Sequence, residues 1–276
     1  MATDPSPFRI LRLGHSETAP AWTEALAAFD AGSATVLKRD GGSAVYRARM
    51  VNRDVVVKVR EMRGLKERIK LWADNTRGVR HWNGAEWLMS QGIATARPYV
   101  LAIERRPEGM REWLVLRMLS GKTLLQHMAD QDLSVKQEHS LARQLARQMY
   151  SLTMANRFNR DHKPSNLILV PDTEGFRPAL IDCVGIRKGG HMFWRMFHAL
   201  AVEPTGLGIL PRKAIRARVI REFNRVEFET DPFYANGRNF RVLQRTRRVL
   251  WSIVSKSLNR HGNPTPVVNP LATPLR

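Results

Sequence analysis

The sequence contains a single cysteine, Cys183, so no disulfide can close within the chain and a reducing compartment is expected. No apolar run approaches the roughly 18 residues that a membrane-spanning helix needs. The opening residues, MATDPSPFRI, have no basic stretch leading into an apolar one, so a secretory leader is not expected. Internal repeats and low-complexity blocks are absent. His81, His127, His139, His191 and His198 have no metal-ligand spacing with Cys183, so no zinc site is expected. Acidic residues are scarce: 25 Asp and Glu stand against 45 Lys and Arg, a formal charge of +20. Such a field favours phosphates, anionic lipid surfaces or other polyanions, and it does not dictate a fold. Nucleic-acid-binding motifs are missing, and the seven Trp residues read as packing rather than a stacking platform, so no nucleic acid partner is expected.

At 276 residues, 43% of them hydrophobic, the chain can build a substantial core, as one large domain or two lobes. Residues 18–30 predict a short helix that stops near Gly32. Three β-rich runs follow, at 34–39, 44–50 and 54–60. Asp40-Gly41-Gly42 and Asn52-Arg53-Asp54 are the turns between them, and together they predict an antiparallel meander. Residues 61–91 are charged and mainly helical, ending at Gly92, with strands predicted near 99–104 and 112–118. A long helix is predicted over 134–156. Ser134 and Gln137 form its capping box, and Leu141, Leu145, Met149 and Leu152 line one face. Short strands at 167–170 and 179–182 precede a helical remainder. Strands first and helices second predict an α+β chain with a small antiparallel-sheet lobe over 1–118, a larger helical lobe over 119–260 and an irregular tail over 261–276.

The strongest local signal is Arg160-Asp161-His162-Lys163-Pro164-Ser165-Asn166, running into the apolar LILV. An Asp followed five positions later by Asn matches the kinase catalytic loop, H-R-D-x-x-x-x-N. The Asp must face an acceptor hydroxyl while the Asn turns back to hold Mg²⁺ on nucleotide phosphates, and a helix-to-strand loop lets both converge. Sixteen residues on (182 − 166), Asp182 ends another apolar strand, where a kinase places the D-F-G metal ligand; here Cys183 replaces the Phe and the glycine, Gly185, comes one position late. Upstream, Val55-Val56-Val57-Lys58-Val59 is like the V-A-I-K strand, whose Lys holds phosphates and is held by a helix Glu; Glu86 is the candidate. Gly41 and Gly42 occupy the turn where a kinase has its phosphate-covering glycine loop, although G-x-G-x-x-G itself is absent. A polar turn, a solvent-facing lysine or a plain hairpin would each explain one of these features. Their occurrence in one sequence order is what the chemistry requires.

VVVKVR around Lys58, E-W-L-M-S-Q-G-I-A-T-A-R-P over 86–98, R-D-H-K-P-S-N-L-I-L over 160–169 and L-I-D-C-V-G over 180–185 resemble the bacterial lipopolysaccharide kinases, the Kdo and heptose kinases of the protein-kinase-like superfamily. The resemblance runs from about Thr35 to Ala201. It implies a bilobal protein-kinase-like fold and transfer of the ATP γ-phosphoryl to a sugar hydroxyl of lipopolysaccharide or a related glycolipid. Position by position, it implies that Lys58 and Glu86 pair to place the phosphates and that Asp161 takes the acceptor proton. Lys163 would neutralise charge on the moving phosphoryl, while Asn166 and Asp182 would hold Mg²⁺. Asn159 stands where the kinase pattern has His. An A-P-E segment is absent: Val202-Glu203-Pro204 echoes it but lies too close to Asp182 for a long activation segment, which suits a small-molecule or glycolipid acceptor better than a peptide. A protein Ser/Thr or small-molecule kinase and an inactive kinase-like scaffold are the alternatives. The protein is expected to act as a monomer in the cytoplasm, peripheral at the inner face of the inner membrane. The basic amphipathic stretch 239–260 either lies on an anionic membrane surface or packs as a last lobe helix, and Arg212, Lys213, Arg216, Arg218 and Arg221 form either an acceptor patch or a solvated face. No role follows from the insertion Arg63 to Arg80.

Overall fold

The structure is a computed structural model that describes residues 6–173, 175–189, 192–209 and 213–230. The chain divides into two compact units, Met1–Leu119 and Ser120–Arg276. The stretch 239–260, the tail 261–276 and Arg212 lie outside the described residues, as do the side chains of Lys213 and Arg216.

The first unit is one antiparallel sheet of six strands: β1 (Phe8–Leu13), β2 (Thr35–Asp40), β3 (Ser43–Met50), β4 (Arg53–Met62), β5 (Pro98–Arg106) and β6 (Gly109–Arg117), in the order β1-β5-β6-β4-β3-β2. The expected meander is β2-β3-β4. Gly41-Gly42 forms the tight link between β2 and β3, with Asp40 opposite Ser43 and Gly41 at φ +50°, a conformation that glycine adopts without strain. Alternation along β4 separates two faces. Val55 and Val57, both fully buried, join Trp22 and Leu26 of α1 (Ala19–Ala27), Tyr99, Trp113 and Val115 in one core. Val56 lies on the other face, where Leu101, Leu114 and Leu116 pack against Val79 and Trp82 of α3 (Arg77–Ser90). The charged segment after β4 is not one helix. β4 runs on to Met62, α2 takes up Gly64–Trp72, and α3 starts afresh at Thr76, whose side chain accepts from the Val79 N–H.

The second unit centres on α5 (Val135–Met154), capped as expected by the Ser134/Gln137 box. Before it lies α4 (Leu124–Asp130), and after it β7 (Arg157–Asn159), a 3-10 turn (Pro164–Asn166), β8 (Leu167–Asp172), β9 (Gly175–Leu180), β10 (Ile186–Lys188), α6 (Phe193–Gly206) and α7 (Lys213–Thr230). β9 starts earlier than expected and ends before Asp182, leaving that residue in a loop. Gln144 and Gln148 of α5 donate to the carbonyls of Phe176 and Pro178, fixing the β8–β9 hairpin on the helix. No helix among the described residues is long and apolar enough to cross a membrane.

Candidate active site

Two strand pairings build the site in the second unit. β7 pairs with β10, Asn159 opposite Ile186, and β8 pairs with β9, Leu167 opposite Leu180. The loop from Arg160 to Asn166 leaves β7 and enters β8, and the segment from Ile181 to Gly185 leaves β9 and enters β10. Each segment is therefore clamped at both ends against the other. The backbone N–H of Arg160 donates to the Gly185 carbonyl at 2.9 Å, and that of Ile181 donates to the Asn166 carbonyl at 3.0 Å. This stitching sets Asp182 beside Asn166 and puts Asp161 under Gly185.

Within the first loop the polar groups hold one another. Asn166 Nδ2 donates to the Asp161 carbonyl at 2.9 Å, which leaves the amide oxygen Oδ1 as the group able to accept a cation. Asn159, fully buried, accepts the Asp161 N–H on Oδ1 at 3.0 Å. The residue that departs from the kinase histidine thus acts as a backbone holder. Arg160 Nη2 donates to Asp161 Oδ2 at 3.0 Å. Its guanidinium pKa is raised, first by that hydrogen bond, then by the Asp161 charge and, after a desolvation cost, by Asp182, so one cation senses both carboxylates. Lys163 is exposed. Across the second segment, Val184 N–H donates to Asp182 Oδ1 at 3.2 Å while Cys183 and Val184 turn inward. An extra residue is thereby folded into a turn, and Gly185 takes the close-packing place. A Cβ on Gly185 would lie 2.4 Å from Asn159 Oδ1 and 3.1 Å from Asp161 Oδ2.

His162 is fully buried with no partner among the described residues for either ring nitrogen, and burial pushes its pKa down to about 4, so it sits there as a neutral filler. Sequence reasoning assigned no role to Glu203. From α6, its two carboxylate oxygens accept the Ser165 N–H at 2.9 Å and the Ser165 hydroxyl at 2.6 Å, pinning the 3-10 turn that delivers Asn166. The Glu-Pro step in Val202-Glu203-Pro204 was the available signal. Further along, Arg218 and Arg221 join Arg143 in lowering the pKa of His139, after desolvation, which places these three guanidinium groups around one side of α5.

In the first unit, Lys58 follows Val56 on the face of β4 over which α3 packs, opposite Leu114 on β6. Glu86 stands four residues after Trp82 on the flank of α3 that carries Val79 and Trp82, at an exposed position. Gly41 and Gly42 form their hairpin turn beside Glu61, whose N–H donates to the Gly42 carbonyl at 2.7 Å. An unforeseen carboxylate lies under α3. Glu112, nearly fully buried, accepts on Oε2 from the Gly78 N–H at 2.9 Å and from Arg60 Nε at 3.3 Å, and Arg60 continues to Glu67 of α2 at 2.7 Å.

Among solved structures, the chain is similar to WaaP in complex with acyl carrier protein, with 17% identity, a TM-score of 0.59, and coverage of 86% of this chain and 91% of that one. The fold is protein-kinase-like. Solved chains matching this kinase-like architecture number 1950, so the fold alone selects no acceptor. No protein-family model matches the chain, and no curated protein matches it in sequence.

Proposed function

We propose that the protein is an ATP-dependent kinase that transfers the γ-phosphoryl group to a sugar hydroxyl of lipopolysaccharide or a related glycolipid. The observation that carries this reading is the cross-stitched pair of loops, in which the Asn166 amide is locked to the Asp161 carbonyl and the Asn166 carbonyl to the Ile181 N–H, one residue before Asp182. The kinase-like fold and the likeness to WaaP support it, together with the resemblance of the motifs to the lipopolysaccharide kinases. The donor set suits Mg²⁺. Among the described residues no three His, Cys, Asp or Glu side chains gather to cage a metal unaided. One carboxylate and one amide oxygen are what a Mg²⁺ ion takes from a protein when phosphates and waters complete its octahedron. Asn166 Oδ1 and Asp182 would hold the ion, which would supply positive charge against the phosphates.

In this mechanism Asp161 accepts the acceptor hydroxyl proton on its carboxylate, aimed by Asn159 and Arg160. Lys163, exposed at the loop, offsets charge on the phosphoryl in flight. Lys58, on the α3 face of β4, would bind nucleotide phosphates, with Glu86 as its partner and the Gly41-Gly42 turn as their cover. The +20 charge suits a phosphorylated acceptor at an anionic bilayer. The test is phosphate transfer from MgATP to extracted lipopolysaccharide, to its de-acylated core sugars and to a protein acceptor. Asp161→Asn should lower kcat by about 10²–10⁴-fold while remaining folded. Transfer to none of the three, with no Mg²⁺-dependent ATP binding, overturns the kinase; transfer to protein alone overturns the glycolipid acceptor.

A further inference from the structure

The helix α2 is built inside out. None of its residues is buried, and three of its four large apolar side chains, Leu65, Ile69 and Trp72, are 71%, 54% and 88% exposed, while the fourth, Leu71, is half-buried. At about 100° per residue these three fall within an arc of about 60°. The opposite side of the helix, with the half-buried Glu67, Lys70 and Leu71, faces the protein: Glu67 accepts from Arg60 on β4 and from Lys70. α2 is thus fastened on its inner side by the Arg60–Glu67 ion pair and offers its apolar stripe to the outside. In water alone the hydrophobic effect favours the reverse orientation, so the outer face fits a medium that is itself apolar.

The charges around the stripe narrow the choice. Lys66 and Arg68, both exposed, flank it on either side, in the arrangement that lets long basic side chains reach lipid headgroups while apolar ones enter the acyl boundary. Next to it lies a cavity of about 790 Å³ lined by Arg9, Arg63, Arg68, Arg105, Arg106 and Trp72, among others. Arg63 is paired with Glu61, and Arg106 with Glu104 and Glu108. Arg9, Arg68 and Arg105 have no carboxylate partner among the described residues. Three guanidinium groups without a carboxylate partner among the described residues, beside an exposed Trp and an aliphatic stripe, match a phosphate headgroup with its acyl chain.

We propose that α2 and the adjoining Arg9, Arg68 and Arg105 form the surface by which this protein lies on an anionic phospholipid bilayer, with Leu65, Ile69 and Trp72 entering the interface. This gives the insertion between β4 and α3 a task and deepens the reading of the protein as an enzyme of a membrane glycolipid. The test does not depend on turnover. The full chain is sedimented with vesicles of phosphatidylcholine alone and of phosphatidylcholine mixed with phosphatidylglycerol, without nucleotide. The wild type should bind the anionic vesicles, and the Leu65→Gln/Ile69→Gln/Trp72→Gln variant should bind them at least about tenfold more weakly with an unchanged thermal midpoint. Neutralising Arg9, Arg68 and Arg105 to Gln should weaken binding by about fivefold per cation and flatten its salt dependence. Asp161→Asn should bind vesicles as the wild type does, and vesicle binding by a wild type that transfers no phosphate leaves the surface standing while the kinase fails. Wild-type binding by the triple Gln variant of α2 overturns the proposal, and so does equal binding to both vesicle types. An acidic soluble protein seated on the stripe of a chain that ignores vesicles also overturns it, in favour of a protein partner.

Discussion

Adding one methyl group at Gly185 tests the geometry of the site without touching any reactive atom. The backbone there lies outside the positive-φ region, so alanine carries no conformational penalty and the whole effect comes from contact. The new Cβ would stand 2.4 Å from Asn159 Oδ1, and relief to an ordinary contact of 3.4 Å requires a shift of 3.4 − 2.4 = 1.0 Å. Asn159 is fully buried and cannot swing aside, and its Oδ1 holds the Asp161 N–H. The methyl also comes within 3.0 Å of that nitrogen and 3.1 Å of Asp161 Oδ2. The displacement therefore passes directly to the proposed base. Overpacking of this kind costs about 1–3 kcal/mol of stability, and a misplacement of about 1 Å costs on the order of 10² in rate. Gly185→Ala should thus show kcat reduced by about two orders of magnitude in phosphate transfer, with a modestly lowered urea midpoint. Gly206→Ala, whose methyl meets nothing within 4 Å, serves as the matched control. A folded Gly185→Ala enzyme with wild-type kcat would refute the claim that the late glycine of the altered D-F-G segment sets the position of Asp161.

Three further outcomes follow from the same contacts. Glu203→Gln should lower kcat, because the 3-10 turn carrying Asn166 loses a charged acceptor worth about 1.5–3 kcal/mol, and raising the Mg²⁺ concentration should partly restore the rate; a variant with wild-type kcat and Mg²⁺ dependence contradicts this. His162 has its folded pKa depressed to about 4 from an ordinary 6.5, so the unfolded chain takes up a proton first as the pH falls. Stability should then be full above about pH 6.5 and decline towards pH 4 by about 3 kcal/mol; His162→Leu should flatten that limb in urea titrations, and an unchanged slope would dismiss the buried neutral imidazole. Gly78→Ala would put a methyl 2.5 Å from Leu101 Cδ1 and 2.7 Å from Glu112 Cδ, both in buried side chains, so a loss of about 1–3 kcal/mol is expected from its denaturation midpoint, and no loss would mean that α3 does not sit so closely on the sheet.

Elements whose cause is local were legible in the chain. The β2-β3-β4 meander declares itself by alternation and a two-glycine turn, and α5 by its capping box and apolar stripe. Elements whose cause is a distant partner were not. β1 lies at the sheet edge through β5, with Phe8 opposite Glu104, and β7 and β10 are three-residue strands that exist because each supplies the other's hydrogen bonds. α2 was merged with α3 because period alone cannot tell which face of a helix is fastened. Here the ion pair of Glu67 with Arg60 decides that, against the hydrophobic pattern.

The same division runs through the site and explains why its least conventional part is the best determined. Asp161 and Asn166 lie close in sequence, so their spacing announces them, and Asp182 follows in the loop just after β9, the strand paired with the β8 that Asn166 leads into. The holders cannot be announced in that way. Glu203 reaches Ser165 across 38 positions, and Asn159 looks like a lost histidine until its Oδ1 is seen to take the Asp161 N–H. The substitutions that make the motifs look degraded, Asn for His and Cys-Val for Phe, are coupled in space. The extra residue of Cys183-Val184 is absorbed by the turn on Asp182 Oδ1, and this moves the glycine to position 185. Only a residue without Cβ fits there against Asn159. The mutual fit of these substitutions makes Asn159→His alone, without a compensating change at 183–185, a damaging rather than a restoring substitution: the larger ring has no room beside Gly185, and phosphate transfer should fall rather than rise.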